Sequence, residues 1–383
     1  MVREKLQLYI HIPFCIRKCD YCDFLSFPAS REVQKAYLEA LISQIRQSEH
    51  GGKRVSSIFI GGGTPSLLEG EEMIRLMEEI RDVFFIMKDA EITLEANPGT
   101  LSEKKVVCFK KAGINRLSIG LQSADNKELQ RLGRIHSFEQ FLENYKSARN
   151  AGFSNINIDL MSALPGQNVE SYRRTLEKVL ALSPEHLSAY SLIIEEGTPF
   201  YQQYGEENKR REEGKTCHLL PSEEEERQMY YDTEKYLSEK GYQRYEISNY
   251  AKKGYECRHN IGYWKRENYL GMGLGAASLM GHERFCMTSD LKAYVSGDFG
   301  KKKVQLLSEA EEMEEFMFLG LRLRDGVRRS DFEKHFGIKY SMVYGQITET
   351  LVAQGLLENC GERIKLTDRG MDVSNYVMAQ FLF

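Results

Sequence analysis

His11-Ile-Pro-Phe-Cys15-Ile-Arg-Lys-Cys19-Asp-Tyr-Cys22 crowds three of the chain's eight cysteines into one short stretch. The apolar run Leu6 to Pro13 reads as a strand, so the thiols fall on the loop that leaves its carboxyl end. C-x3-C-x2-C spacing on a turning loop lets several thiolates converge, and thiolates are the ligands that iron–sulfur clusters take. Three of them satisfy three irons of a cubane and leave the fourth open to an exchangeable ligand, by the logic that leaves a catalytic zinc one free position. A structural zinc site with His11 as its fourth ligand is the competing reading, and unligated core cysteines a third. The remaining cysteines, at 108, 217, 257, 286 and 360, are scattered, which fits a reducing compartment and a metal site better than a disulfide framework.

Outward from this loop the first half of the chain alternates. Helical spacing covers Arg31 to Ser48, then come a strand at Val55 to Ile60, a helix at Glu71 to Phe85 and a strand at Glu91 to Glu95. Ser102 to Ala112 is helical and ends at Gly113, Arg116 to Ile119 is a strand, and helices follow around Lys127 and at Phe138 to Ala151. A strand at Ile156 to Met161, a helix at Glu170 to Leu182 and a strand at Leu187 to Ile194 complete the pattern. Strict alternation predicts an α/β fold with a parallel sheet and helical crossovers. Six such units suit a partial (β/α)6 TIM-like barrel better than a doubly wound sheet, which the pattern also admits; either way chemistry belongs at the carboxyl ends of the strands.

Residues 203–226 are charged and nearly free of apolar period, and read as a surface loop or lid. Ser222 with Glu225 forms a capping box behind Pro221 and starts a helix that runs to Gly241. Residues 242–300 are aromatic and glycine-rich. Beyond them Met313, Phe316, Met317 and Leu321 share one helical face, and LVAQGLLEN with ERIKLTDRG predicts a helix and a β-hairpin, a winged-helix-like α+β unit. The expected domains are therefore 1–205, 206–305 as lid, linker and substrate cover, and 306–383.

The composition, 42% apolar and 28% charged, is that of a globular protein, and a net charge of −4 offers nucleic acid no basic footprint. Arg328, Arg329, Lys334, His335 and Lys339 do add basic character near the C-terminus, but Glu311, Glu312, Glu314 and Glu315 stand beside them, so no coherent basic face is expected and no nucleic-acid partner. No apolar run approaches the roughly 20 residues of a membrane span. The N-terminus has no signal-peptide pattern. The expectation is a cytoplasmic protein that is not itself transmembrane.

The cysteine loop, with Tyr21 before its third cysteine, resembles the signature of the radical S-adenosylmethionine (SAM) superfamily. Tyr9-Ile-His-Ile-Pro-Phe-Cys15, Gly61-Gly62-Gly63-Thr64-Pro65-Ser66, Asn115 to Gln122, Asp159-Leu160 with Leu164-Pro165-Gly166-Gln167, and Glu195 to Pro199 are similar to one branch of it. That branch holds the oxygen-independent coproporphyrinogen III oxidases and the HemW-type heme chaperones. The resemblance spans nearly the whole chain. It implies a 4Fe–4S cluster on Cys15, Cys19 and Cys22, whose open iron is chelated by the methionyl group of SAM. It also implies an electron transfer that cleaves the sulfonium to a 5′-deoxyadenosyl radical. Gly62, Gly63 and Thr64 follow the second strand, where glycines admit close backbone approach and exposed amides meet a charged group. Glu95, at the end of the third strand, is placed to accept from ribose hydroxyls. Gln122, Asp159 and Arg134 share that rim, Arg134 with a fork suited to a carboxylate. Tyr9 on the first strand either faces SAM through its hydroxyl or packs.

Two features set the chain apart from the decarboxylating oxidases. Those carry a fourth cysteine two positions after the third, where this chain has Phe24, and an N-terminal extension, where this chain has 14 residues before Cys15. Both are similar to the chaperone type. His259-Asn260-Ile261-Gly262-Tyr263-Trp264 also resembles a motif of heme-binding members. Imidazole is a common axial ligand of heme iron and flanking aromatics offer flat apolar area to a macrocycle, so His259, Tyr263 and Trp264 are the heme candidates, with Cys257 a competing thiolate. The bland alternative has His259 hydrogen-bonded in the core beneath the sheet while the aromatics pack. The resemblance thus implies a protein that binds heme and hands it to client hemoproteins, membrane-bound cytochromes included, and extends to a homodimer. The alternative it leaves is oxidative decarboxylation of coproporphyrinogen III to protoporphyrinogen IX, and with it enzyme status stays open. The C-terminal unit is expected to cover the substrate cavity or contact a client.

Overall fold

The structure, a computed structural model, describes residues 5–383. Its first half runs β1 (Lys5–Ile12), α1 (Arg31–Arg46), β2 (Arg54–Gly62), α2 (Gly70–Val83), β3 (Phe85–Ala96), α3 (Glu103–Lys111), β4 (Arg116–Gln122), α4 (Asn126–Arg131), α5 (Phe138–Asn150), β5 (Ile156–Ser162), α6 (Val169–Leu180) and β6 (His186–Ser191). These strands pair in sequence order, each parallel to the next. The six alternating units expected from the periodicity are all present. Both faces of the sheet are covered: Leu6, Leu8, Ile10 and Ile12 are buried on one face of β1, and Gln7 and His11 on the other. The helices start where short polar side chains satisfy their first amides. Ser30, Ser102, Ser137 and Asn168 each accept from a backbone N–H of the first turn.

The charged stretch 203–226 corrects its sequence reading as a loop. Residues up to Glu212 continue a helix, α7 (Pro199–Glu212), and only the segment before Ser222 is irregular. Thr198 caps it, Pro199 opens it, and Phe200 and Tyr204, one turn apart, are buried. Two aromatics at that spacing anchor an otherwise solvated helix, too few to register as a period. The capping box of Ser222 and Glu225 does start α8 (Glu223–Glu239).

The aromatic and glycine-rich middle comprises β7 (Gln243–Arg244), β8 (Asn249–Ala251), α9 (Arg258–Trp264), β9 (Tyr269–Met272), β10 (Ala277–Met280), β11 (Glu283–Cys286), α10 (Leu291–Val295) and β12 (Lys302–Leu306). Its strands extend both edges of the main sheet, giving twelve strands in the order β12-β11-β10-β9-β1-β2-β3-β4-β5-β6-β8-β7. β9 runs parallel to β1, and the other additions are antiparallel. The sheet curls around the start of α9: Gln7 of β1 donates to the His259 carbonyl, Ser57 of β2 bonds the His259 ring, Glu91 of β3 accepts from its amide, and His186 of β6 bonds the Tyr245 hydroxyl. These contacts lie toward the amino ends of the strands, which makes α9 a floor.

The C-terminal region is a smaller α+β unit with a core of its own. It holds α11 (Glu309–Gly320), β13 (Val327–Arg328), α12 (Arg329–Phe336), α13 (Tyr340–Ala353), β14 (Leu357–Cys360), β15 (Arg363–Leu366), α14 (Asp368–Asp372) and α15 (Ser374–Ala379), with Phe332, Tyr340, Tyr344, Leu351 and Ile364 buried among them. The helix and hairpin expected near residue 350 are α13, β14 and β15. Two of the acidic residues on α11 are clamps: buried Glu315 accepts from Arg266 at 2.9 Å and Arg284 at 2.6 Å, and Glu312 lies 3.3 Å from Arg266. Among the described residues no helix is long and apolar enough to cross a membrane.

Candidate functional site

The cysteine loop rises from a pinned base. Cys15 N donates to Phe27 O and Phe27 N to Pro13 O, while buried Phe14 packs edge-on against Phe27 and Tyr37. Further along, Asp20 N donates to Leu132 O, Phe200 N of α7 donates to Asp20 O, and Tyr21 packs edge-on against Phe200. The helix that sequence reading missed is thus a buttress of this loop. All three thiols are partly exposed. Thr64 Oγ1 donates to Cys15 Sγ at 3.6 Å and Arg134 Nη1 to Cys19 Sγ at 3.5 Å, so two sulfurs already have donors aimed at them.

His11 is not free to complete a zinc site. It is buried, with Nδ1 3.0 Å from the Tyr9 hydroxyl and Nε2 2.9 Å from Leu25 O. Among the described residues no cluster of His, Cys, Asp and Glu is gathered tightly enough for a single metal ion. Three sulfur donors on one turning loop suit a cluster that spreads them over several irons. The Tyr9 ring stacks on Phe59, 6.4 Å between centroids.

The glycines at the end of β2 serve close packing. Gly62 adopts φ +116°, and a Cβ there would lie 2.6 Å from the His11 ring; a Cβ on Gly63 would lie 2.7 Å from Phe14 O and 3.0 Å from Cys15 Sγ. Their missing side chains let the β2 end press against the cysteine loop.

The strand ends then lock together. Gly62 N donates to Glu95, 3.0 Å away. Surrounding protein pushes the Glu95 carboxyl up to about 7, the Asp159 charge adds to the rise, and the Gly62 amide opposes it. Asn97, overlooked in the sequence, joins two sides of the site: its Nδ2 donates to Thr64 Oγ1 and its Oδ1 accepts from Arg134, both at 2.7 Å. Its one sequence signal was a polar residue two positions past Glu95 at a strand's carboxyl end. Arg134 also donates to Gly120 O at 2.5 Å, so its fork is held by protein acceptors. Gln122 sits at φ 72°, a rare value for a residue with a side chain, where the pairing of β4 and β5 slips; it accepts from Tyr190 at 3.2 Å. Asp159 is deeper, held by Asn157 at 2.7 Å and Ser118 at 3.3 Å, and burial raises its pKa. Thr64 and Arg134 thus line one pocket with Cys19 and Asn97, Gly62, Gly63, Glu95 and Gln122 stand at the same carboxyl end of the sheet, and Tyr9 and Asp159 lie deeper along β1 and β5.

The heme candidates lie elsewhere. Ser57 is five residues upstream of Gly62 on β2, so the floor that it shares with His259 is about 17 Å from the cysteine end at 3.3–3.4 Å per residue. His259 is 0% exposed, with Nδ1 2.8 Å from Ser57 Oγ and Nε2 3.0 Å from the Tyr263 hydroxyl. Burial holds its pKa down to about 3. Both ring nitrogens are engaged within the protein, the arrangement of the core-histidine alternative, and Tyr263 is one of the two partners. Cys257 is fully buried as well, and bonds Glu91. Trp264 and Ile261 of the motif turn toward a second space. Arg322 stacks on the Trp264 indole at 4.2 Å, and the space is a cavity of about 1210 Å³ between this floor and the C-terminal unit.

Known proteins share this sequence pattern and fold. Residues 9–179 match the Radical SAM superfamily, and residues 307–373 the HemN C-terminal domain. The chain is 36% identical to the heme chaperone HemW of Lactococcus lactis over 100% of this chain and 98% of that protein. It is 36% identical to the Bacillus subtilis HemW and 35% to the Escherichia coli HemW, each over 98% of both proteins. Among solved structures, coproporphyrinogen III oxidase (HemN) of Escherichia coli superposes with a TM-score of 0.83 at 25% identity, covering 99% of this chain and 90% of that one.

Proposed function

The chain belongs to the radical-SAM superfamily, in the family of HemW-type heme chaperones, and from this we propose that it binds heme and passes it to client hemoproteins. The observation that carries the proposal is the full-length match to heme chaperones at 36% identity, against 25% for the oxidase of like fold. Phe24 supports it. The residue stands where the oxidases have a fourth cysteine, and it is 64% exposed beside the loop.

In this reading the six β/α units form a partial barrel whose open end holds a 4Fe–4S cluster on Cys15, Cys19 and Cys22 with SAM beside it. When bound, that pair supplies one-electron reducing chemistry at the SAM sulfonium. The chain's own residues prepare the place. Thr64 and Arg134 direct donors at two sulfurs, and Asn97 holds both of them in register. Glu95, Gln122 and Asp159 present polar groups to the SAM side, and Tyr9 closes it. Heme and client hemoproteins are the partners, in the cytoplasm, with a homodimer as a further state. The likeness to HemN favours one rival, decarboxylation of coproporphyrinogen III. Anaerobic incubation of cluster-loaded protein with coproporphyrinogen III, SAM and reductant separates them. The expected result is no protoporphyrinogen IX, together with hemin uptake and release to an apo-hemoprotein; formation of protoporphyrinogen IX overturns the proposal.

A further inference from the structure

The cavity between the floor and the C-terminal unit is the largest among the described pockets, and the cofactor site does not use it. At about 1210 Å³ it exceeds the ~300–1,000 Å³ of typical small-molecule sites. One wall is the floor, with Trp264 and Ile261; the opposite wall is α11, α12 and the segment between them, with Phe316 and Leu323. The Trp264 Nε1–H is shielded from solvent and has no hydrogen-bond partner. Lys265, Arg328 and Lys334 line the same space, and none has an ion-pair partner within 4 Å among the described residues, although acids such as Asp331 and Glu267 are also present.

One imidazole faces this space. His335 of α12 lines it, stacked on Phe316 with centroids 6.3 Å apart and ring planes 29° from parallel. Its side chain is 52% exposed, and Glu312 lies 3.8 Å from Nε2, beyond hydrogen-bond range. His259 has the opposite character, sealed and doubly bonded. Resting on the chaperone reading above, we infer that heme is held in this cavity, with His335 rather than His259 as its axial ligand. The macrocycle would lie against Trp264 and Phe316, its two propionates would meet Lys265, Arg328 and Lys334, and the iron would take a His335 nitrogen. The site is open to solvent and lies away from the cluster, as a cargo that must be handed over requires.

The test is titration of the full-length protein with ferric hemin, followed by Soret absorption and electron paramagnetic resonance, on wild type, His335→Ala and His259→Ala. His335 is exposed, so its replacement leaves folding intact. The expected result for His335→Ala is a changed axial-ligand signature and hemin binding weakened at least about tenfold, the cost of losing even an outer-shell partner of a metal. Added imidazole restores the signature. His259→Ala, where it stays folded, keeps the wild-type spectrum. An unchanged spectrum and affinity in His335→Ala overturn this site while wild-type binding leaves the chaperone reading standing. Absence of hemin binding by the wild type overturns that reading, and the site with it.

Discussion

Replacing His259 by alanine tests the floor directly. The imidazole bonds Ser57 Oγ at 2.8 Å and the Tyr263 hydroxyl at 3.0 Å, and Ser57 is 1% exposed. Truncation orphans both hydroxyls, at about 1–3 kcal/mol for each buried group left unpaired. It also leaves a ring-sized void beside Phe59, whose centroid is 5.3 Å from the imidazole, and voids of that kind add to the loss. A total of about 4 kcal/mol follows. The backbone of α9 stays tied through the His259 amide to Glu91 and its carbonyl to Gln7, so the variant still folds. With an unfolding entropy of about 2.1 cal/mol/K per residue over roughly 300 residues of the larger core, 4 kcal/mol lowers Tm by about 6 °C. Circular-dichroism melts of wild type, His259→Ala and His259→Gln at neutral pH measure it, with the glutamine, which can keep one bond, falling between. A melt of His259→Ala within about 1 °C of wild type would refute the reasoning.

Acid should weaken the fold early. Burial holds His259 and His136 down to about 3, and pushes His186 down too. Each folds neutral, so its contribution is complete above the unfolded value near 6.5 and is lost progressively as pH falls toward 3, at about 1.4 kcal/mol per unit per histidine. Glu95, raised to about 7, works in the opposite direction, costing stability as pH rises through 7; urea midpoints that do not fall below about pH 6 contradict the histidine account. Replacing Cys15, Cys19 and Cys22 together by serine should abolish iron and sulfide loading while leaving the melt near wild type; iron retained in that variant would remove the cluster assignment. Glu315→Ala strands Arg266, 5% exposed, with Glu312 alone, and should cost about 3 kcal/mol, visible as faster hydrogen exchange in α11 and α12. If Glu95 accepts from SAM as proposed, SAM affinity falls as pH drops through about 7 and Glu95→Gln flattens that dependence; parallel pH profiles exclude the contact.

What the sequence determined by itself were features carried by neighbours in the chain. The alternation that predicts six β/α units, the Ser222–Glu225 capping box and the C-x3-C-x2-C loop need only local spacing, so the strands, most of the helices and the cysteine loop were legible, as were Glu95 and Gln122 near strand ends, whereas Asp159 lies inside β5. Where a side chain points when partners come from hundreds of residues away was decided by the tertiary structure alone. Between the ligand and core readings of His259 the local sequence could not choose, because the Ser57 hydroxyl that meets its ring comes from some 200 positions earlier. α7 was hidden because two buried aromatics carry its packing against the cysteine loop. Asn97 gains its role only when β2 and the segment after α4 bring Thr64 and Arg134 to its two amide atoms. The cavity around Trp264 and His335 exists because Glu315 pairs with Arg266 and Arg284 and sets one core beside another. Periodicity records which residues avoid water, but the identity of the opposing group is a product of long-range closure, and no local pattern encodes it.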